Sequence, residues 1–164
     1  MGSFKASFLV VFCLVASTSS VFAAEAIARN AKTGWKTKVI SGSQAIQKIQ
    51  QRLPKSFYEG IAYKSTYVTH PCRVKVTADP QEAGRVEISY PQRRTSFVFS
   101  ISPNDRVVYQ TRVVGGIQEA LEIQEGGQTV ESLFINTSEG STEAANVTIE
   151  KPFGQSTREK HCMF

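Results

Sequence analysis

Cys72-Arg73-Val74-Lys75-Val76-Thr77-Ala78 alternates apolar or small residues with basic and polar ones, and Asp79-Pro80 closes the run. Successive side chains of a strand point to opposite faces, so a period of two marks a strand with one face buried and one wet. Cys72, Val74, Val76 and Ala78 are expected inward, and Arg73, Lys75 and Thr77 outward. The same period recurs downstream. Val86, Ile88 and Tyr90 alternate within residues 85–90, and Phe97, Phe99 and Ile101 within 96–102. Val107, Tyr109 and Val113 share one side of residues 106–114. Residues 120–124, 129–136 and 146–150 are further candidates. Upstream, Ile61, Tyr63 and Tyr67 mark a looser strand over 60–69, with Tyr63 and Tyr67 expected in the core.

Turn residues separate these runs: Asp79-Pro80 with Gly84, Pro103-Asn104-Asp105, Gly115-Gly116 and Gly126-Gly127. Connections this short exclude parallel crossovers for most pairs. The expected fold is therefore mainly β (α+β): an antiparallel meander forming a curved sheet, barrel or sandwich.

One helix precedes the meander, over residues 41–53. Ser41 and Gln44 have capping-box spacing. Ala45, Ile46, Ile49 and Leu53 fall on one face, Lys48, Gln51 and Arg52 face away, and Pro54 stops the helix. A single apolar stripe implies packing on the sheet.

The first residues read as a signal peptide, residues 1–23. Lys5 supplies the positive end, residues 6–16 are apolar, and Val21-Phe22-Ala23 suits cleavage after Ala23. The apolar run is shorter than the roughly 20 residues that a membrane helix needs. No later run is apolar enough to span a bilayer. Residues 24–40 are expected to form an arm and lead-in, with Trp35 over one end of the core. Residues 41–164 are expected to form a single β-rich domain, secreted or periplasmic.

Cys13 leaves with the leader, so Cys72 and Cys162 remain as a pair, and an oxidising compartment favours their disulfide. Asn136-Thr137-Ser138 and Asn146-Val147-Thr148 are glycosylation sequons, meaningful only if the chain is eukaryotic.

The chain carries 19 Lys and Arg against 14 Asp and Glu, a net charge of +5. The excess is uneven. Residues 24–112 hold 15 basic and 6 acidic side chains, and residues 113–164 hold 3 and 8. A basic first part points to an anionic partner: a polysaccharide, lipopolysaccharide or lipid head group. Arg73 and Lys75 on an outward strand face, and Arg93 and Arg94 in a hairpin connection, are the candidate ligand-binding residues. Nucleic acid is a poorer match, because its binding modules interleave exposed aromatics with the basic residues.

Catalytic constellations are scarce. His70 and His161 each stand beside a cysteine, but His-Pro-Cys and His-Cys lack the loops that aim neighbouring ligands at one zinc, and a disulfide would consume the thiols. No nucleophile elbow places a serine, and Asp79 and Asp105 lie in turns. Glu122, Glu125 and Glu131 would need to face one another across a cleft to act on a glycoside. No phosphate loop, dinucleotide fingerprint or calcium loop appears, so neither cofactor nor metal is expected. The reading is an exported, non-catalytic binding module for an anionic partner. The alternatives are an envelope or extracellular interaction component, homo-oligomer or protein inhibitor, and a small exported hydrolase.

Overall fold

The computed structural model describes residues 34–65 and 68–164. The expected leader, the expected arm before Gly34, and Tyr67 lie outside the described residues. Among them are ten strands and one helix. The strands are β1 (Lys36–Ser41), β2 (Phe57–Ser65), β3 (Val68–Asp79), β4 (Ala83–Tyr90), β5 (Thr95–Ile101), β6 (Arg106–Val113), β7 (Ile117–Glu125), β8 (Gln128–Thr137), β9 (Ala144–Phe153) and β10 (Ser156–Met163). The helix α1 spans Gly42–Arg52. All pairings are antiparallel, in the order β1-β6-β7-β8-β9-β10-β2-β3-β4-β5. The sheet does not close into a barrel.

One junction in this order is weak. β9 and β10 pair over their whole length, but β10 meets β2 through the single pair Met163–Ile61. The sheet folds there. Six strands, β1 and β6 to β10, form one half, and β2 to β5 form the other. Contacts of β5 with β8 and β9 show that the halves face each other. Helix α1 packs against β3, β4 and β5 of one half and β1 and β6 of the other, so its apolar stripe is buried from both sides. Its start follows the expected chemistry: Ser41 Oγ accepts the Gln44 N–H, and the Gln44 side chain accepts the Ser41 N–H. Its last turn is tied to β7 by Arg52, whose Nε stands 2.6 Å from a buried Glu119 carboxylate oxygen.

The fold line is held by covalent and polar bonds. Cys72 on β3 and Cys162 on β10 form the expected disulfide, with Cα atoms 5.7 Å apart. Gly60 on β2 is paired with Cys72 and passes directly beneath β10. A Cβ on Gly60 would lie 1.9 Å from the Met163 carbonyl oxygen and 3.2 Å from Cys162 Sγ. Beyond Met163, β10 has no strand on its free side. Tyr90 supplies the missing partner: its hydroxyl accepts the His161 N–H and donates to the His161 carbonyl, both at 3.0 Å. Tyr63 N–H donates to His161 Nε2 at 2.9 Å.

Inward side chains line up across the strands. Tyr109, Leu121, Leu133 and Ile149 are successive register partners on β6, β7, β8 and β9, and all are buried. Val86, Ile88 and Phe99, fully buried, come from the other half.

The structure departs from the sequence reading in places. Residues 60–69 are not one strand but parts of β2 and β3. Their expected phase is reversed: Tyr58 and Ala62 are buried, while Ile61 and Tyr63 are 43% and 46% exposed. Pairing sets the phase. Gly60 opposes the inward Cys72, so the residues two away from it also turn inward. Val113, expected inward, is 78% exposed at the β6–β7 hairpin tip. β1, inside the expected lead-in, and β10 were not anticipated as strands. The ends of the strand order are β1 and β5, and β10 is also unpaired by strand along most of its side towards β2.

Gly60→Ala should therefore cost about 3 kcal/mol, because the backbone of β10 cannot yield while the disulfide holds it. Urea unfolding of the oxidised protein measures this. A loss below about 0.5 kcal/mol, the level of an ordinary surface change, would show that the crossing is loose.

Candidate functional site

Two arrangements stand out, on opposite faces of β10. The first is basic. Lys160 extends the buried row Tyr109–Leu121–Leu133–Ile149 as the register partner of Ile149. It is 8% exposed. Its Nζ donates to Thr95 Oγ1 at 2.8 Å and lies 4.1 Å from the Tyr90 ring centroid and 5.1 Å from that of Phe97. No carboxylate of the described residues lies within ion-pair distance. Burial, and then the charge of Arg93, pull its pKa below the ordinary lysine value. An ammonium in such a place is ordinarily paired. Thr95 is exposed, so the ammonium sits just under the surface.

Arg93 stands at the rim, in the short 3-10 turn Pro91–Arg93 that joins β4 to β5. One of its terminal nitrogens donates to His70 Nε2 at 3.0 Å. A guanidinium only donates, so that imidazole nitrogen is the acceptor. Arg94 follows with φ 47°, and is the one described non-glycine residue with a positive φ. A left-handed backbone costs a side-chain-bearing residue about 1–2 kcal/mol relative to the right-handed form. A glycine would be free of that cost, so the position spends stability on a side chain.

Of the four candidate ligand-binding residues, Arg93 thus lies at this niche, and Arg94 follows it in the same turn. Arg73 and Lys75 do not lie there: both are exposed on the outward face of β3. There, Arg73 Nε is 3.2 Å from Glu59, Lys75 opposes Glu87 in register, and Arg85 is 3.3 Å from Glu87. That face sets three cations, Arg73, Lys75 and Arg85, against two carboxylates, Glu59 and Glu87. Sequence reasoning missed Lys160, although the alternation of Lys160 and Cys162 within the C-terminal residues was available to place it inward.

The second arrangement is a half-open groove of about 300 Å³ on the outward face of the six-stranded half. It is lined by Trp35, Arg112, Gln118, Phe134, Asn136, Thr148, Glu150 and Glu159. Trp35 is not over the core end. It lies against the Arg112 guanidinium, 4.7 Å from ring centroid to carbon, beside the sheet's outer face. Arg112 also donates to Gln118. Glu150 and Glu159 are direct register partners on β9 and β10. Burial, then the neighbouring Glu159 charge, raises the Glu150 pKa. Glu122, two strands away in the same cross-strand row, is also raised, by burial first. It accepts from Gln110 at 2.9 Å and Thr129 at 3.2 Å.

The remaining candidates scatter. Glu131 points to the inner face and pairs with Lys151 at 2.7 Å, Glu125 is exposed, and so the three glutamates do not face one cleft. Asp79 and Asp105 accept backbone N–H groups in their turns. Among the described residues no three His, Cys, Asp or Glu side chains converge as metal ligands. Asn136 and Asn146 oppose each other on β8 and β9, with Nδ2 of the first donating to Oδ1 of the second at 2.8 Å. The acidic C-terminal part forms four adjacent strands, β7 to β10, so the charge division persists in the strand order. No helix among the described residues is long and apolar enough to cross a membrane.

Compared with known proteins, the chain matches no family model, no curated protein and no solved structure.

The raised Glu150 pKa has a testable sign. A carboxyl that holds its proton more tightly folded than unfolded destabilises the fold once ionised, and does not below its unfolded pKa of about 4.3. Glu150→Gln should raise Tm at neutral pH, with the gain shrinking as pH falls and vanishing below about 4. Thermal unfolding across this range checks it. An equal Tm at neutral pH would mean that Glu159 and burial do not strain Glu150.

Proposed function

We propose that the protein is an exported, non-catalytic binding module that recognises a compact anionic group, a sulfate, phosphate or carboxylate on a glycan or lipid head group. One observation carries the reading: the buried Lys160 ammonium has aromatic faces and one hydroxyl around it but no carboxylate counter-ion. Its charge is left for an incoming anion. Arg93 at the rim adds donors, and Arg94 follows it in the same turn at a backbone cost. Charge-assisted hydrogen bonds to an anion from a partly desolvated site are stronger than those from a wet surface. The leader read in residues 1–23 and the disulfide agree with export.

Binding of a sulfated oligosaccharide and its desulfated counterpart tests this at low and high salt. The sulfated form should bind at low salt and be released by high salt. Replacing Arg93 and Arg94 by Glu should weaken binding and flatten its salt dependence. Lys160→Met should abolish binding yet leave Tm unchanged or raised, since a lone buried charge costs stability. Equal binding of the desulfated form, or full binding by Lys160→Met, would refute the reading.

A further inference from the structure

The groove on the outward face uses none of the basic niche and has chemistry of the opposite sign. Glu150 and Glu159 stand directly opposite each other on adjacent strands. Such partners have Cβ atoms about 4.5–5.5 Å apart, where like charges are destabilising. Neither carboxylate has a Lys or Arg within ion-pair distance or a hydrogen-bond donor among the described residues, in contrast to Glu59, Glu87, Glu119, Glu131 and Glu143, which all pair with cations. Glu150 is half-buried, so water compensates it only in part. The cation in the same groove, Arg112, is on β6 with two strands between it and β9. It is already occupied by Gln118 and the Trp35 ring.

The rest of the lining is not acidic. Phe134, half-buried, forms part of the floor, Trp35 forms one wall, and Gln118, Asn136 and Thr148 add neutral polar groups. A groove of this size is at the lower end for a small organic ligand. Aromatic faces and unpaired carboxylates together select a cation with an apolar body. A neutral sugar would not relieve the repulsion between the two carboxylates, and a bare inorganic cation would leave Trp35 and Phe134 unused.

We propose that this groove is a second binding site, for a small organic ammonium. Its nitrogen lies between Glu150 and Glu159, and its apolar body lies against Phe134 and Trp35. The proposal is independent of the anionic ligand assigned to the Lys160 niche.

Trp35 is the one tryptophan of the chain, so its emission reports on the groove directly. The test titrates the oxidised protein with 2-phenylethylamine and with its neutral isostere 2-phenylethanol. The amine should change Trp35 emission saturably, and the alcohol should bind at least about tenfold more weakly, the worth of one charge-assisted contact. Glu150→Gln and Glu159→Gln should each weaken the amine about tenfold while remaining folded. Lys160→Met should bind the amine like the parent chain, which separates failure here from failure of the anion site. No saturable change with the amine, equal response to the alcohol, or unaltered affinity in both glutamine variants would overturn the proposal.

Discussion

The crossing of β10 over Gly60, locked by the Cys72–Cys162 disulfide, is the constraint on which the rest of the structure depends. A ten-stranded antiparallel sheet left flat would expose one apolar face along its whole length. Here the sheet turns at the single Met163–Ile61 pair, and its two halves cover each other. The disulfide closes a sequence separation of 90 residues. In the chain-entropy account a loop of that length is worth about 4–5 kcal/mol against the unfolded chain. Gly60 permits the approach, and the Tyr90 hydroxyl satisfies the His161 N–H and carbonyl that the turn leaves without a strand. Helix α1 fills the space between the halves, with Ala45, Ile46 and Ile49 wholly buried.

The same strand that makes the fold line supplies both candidate sites. Alternation sends Lys160 inward and Glu159 outward. Inward, the turn of the sheet brings Lys160 against Tyr90, Thr95 and Phe97 from the opposite half, at the end of an otherwise apolar row. Outward, β10 lies flush with β9 and puts Glu159 beside Glu150. The two sites thus share a scaffold, carry opposite charge and lie on opposite faces. The uneven charge of the chain is expressed through this geometry: acidic strands lie together in one half, and the basic niche forms where β10 meets the basic half.

Much of the architecture was legible because local patterns were strong. The capping box at Ser41 and Gln44, the stripe of α1 and the alternation from Cys72 to Ala78 all needed no tertiary information. With Cys13 read as part of a leader, the two remaining cysteines sufficed for the disulfide. The phase of β2 was not legible, since Ile61 and Tyr63 are as apolar as the residues that should be inside, and only the pairing of Gly60 with Cys72 decides the matter. β10 was hidden by its composition: Arg158, Glu159 and Lys160 read as solvated, yet Lys160 is buried. Charge alone could not separate Arg93, which stands at a niche, from Arg73 and Lys75, which lie beside carboxylates on neighbouring strands. The groove depends on side chains from six separate places in the sequence, Trp35 among them, and no spacing rule brings those together.

Amide hydrogen exchange on the oxidised chain and on the Cys72→Ala/Cys162→Ala double variant tests the central claim most directly. If the locked crossing holds the two halves together, the double variant loses protection first in β2 and β10, Phe57–Ser65 and Ser156–Met163, and at the amides facing Tyr90. β7 and β8, paired along their full length, keep theirs. A uniform loss across all ten strands, or unchanged protection at His161, would contradict it.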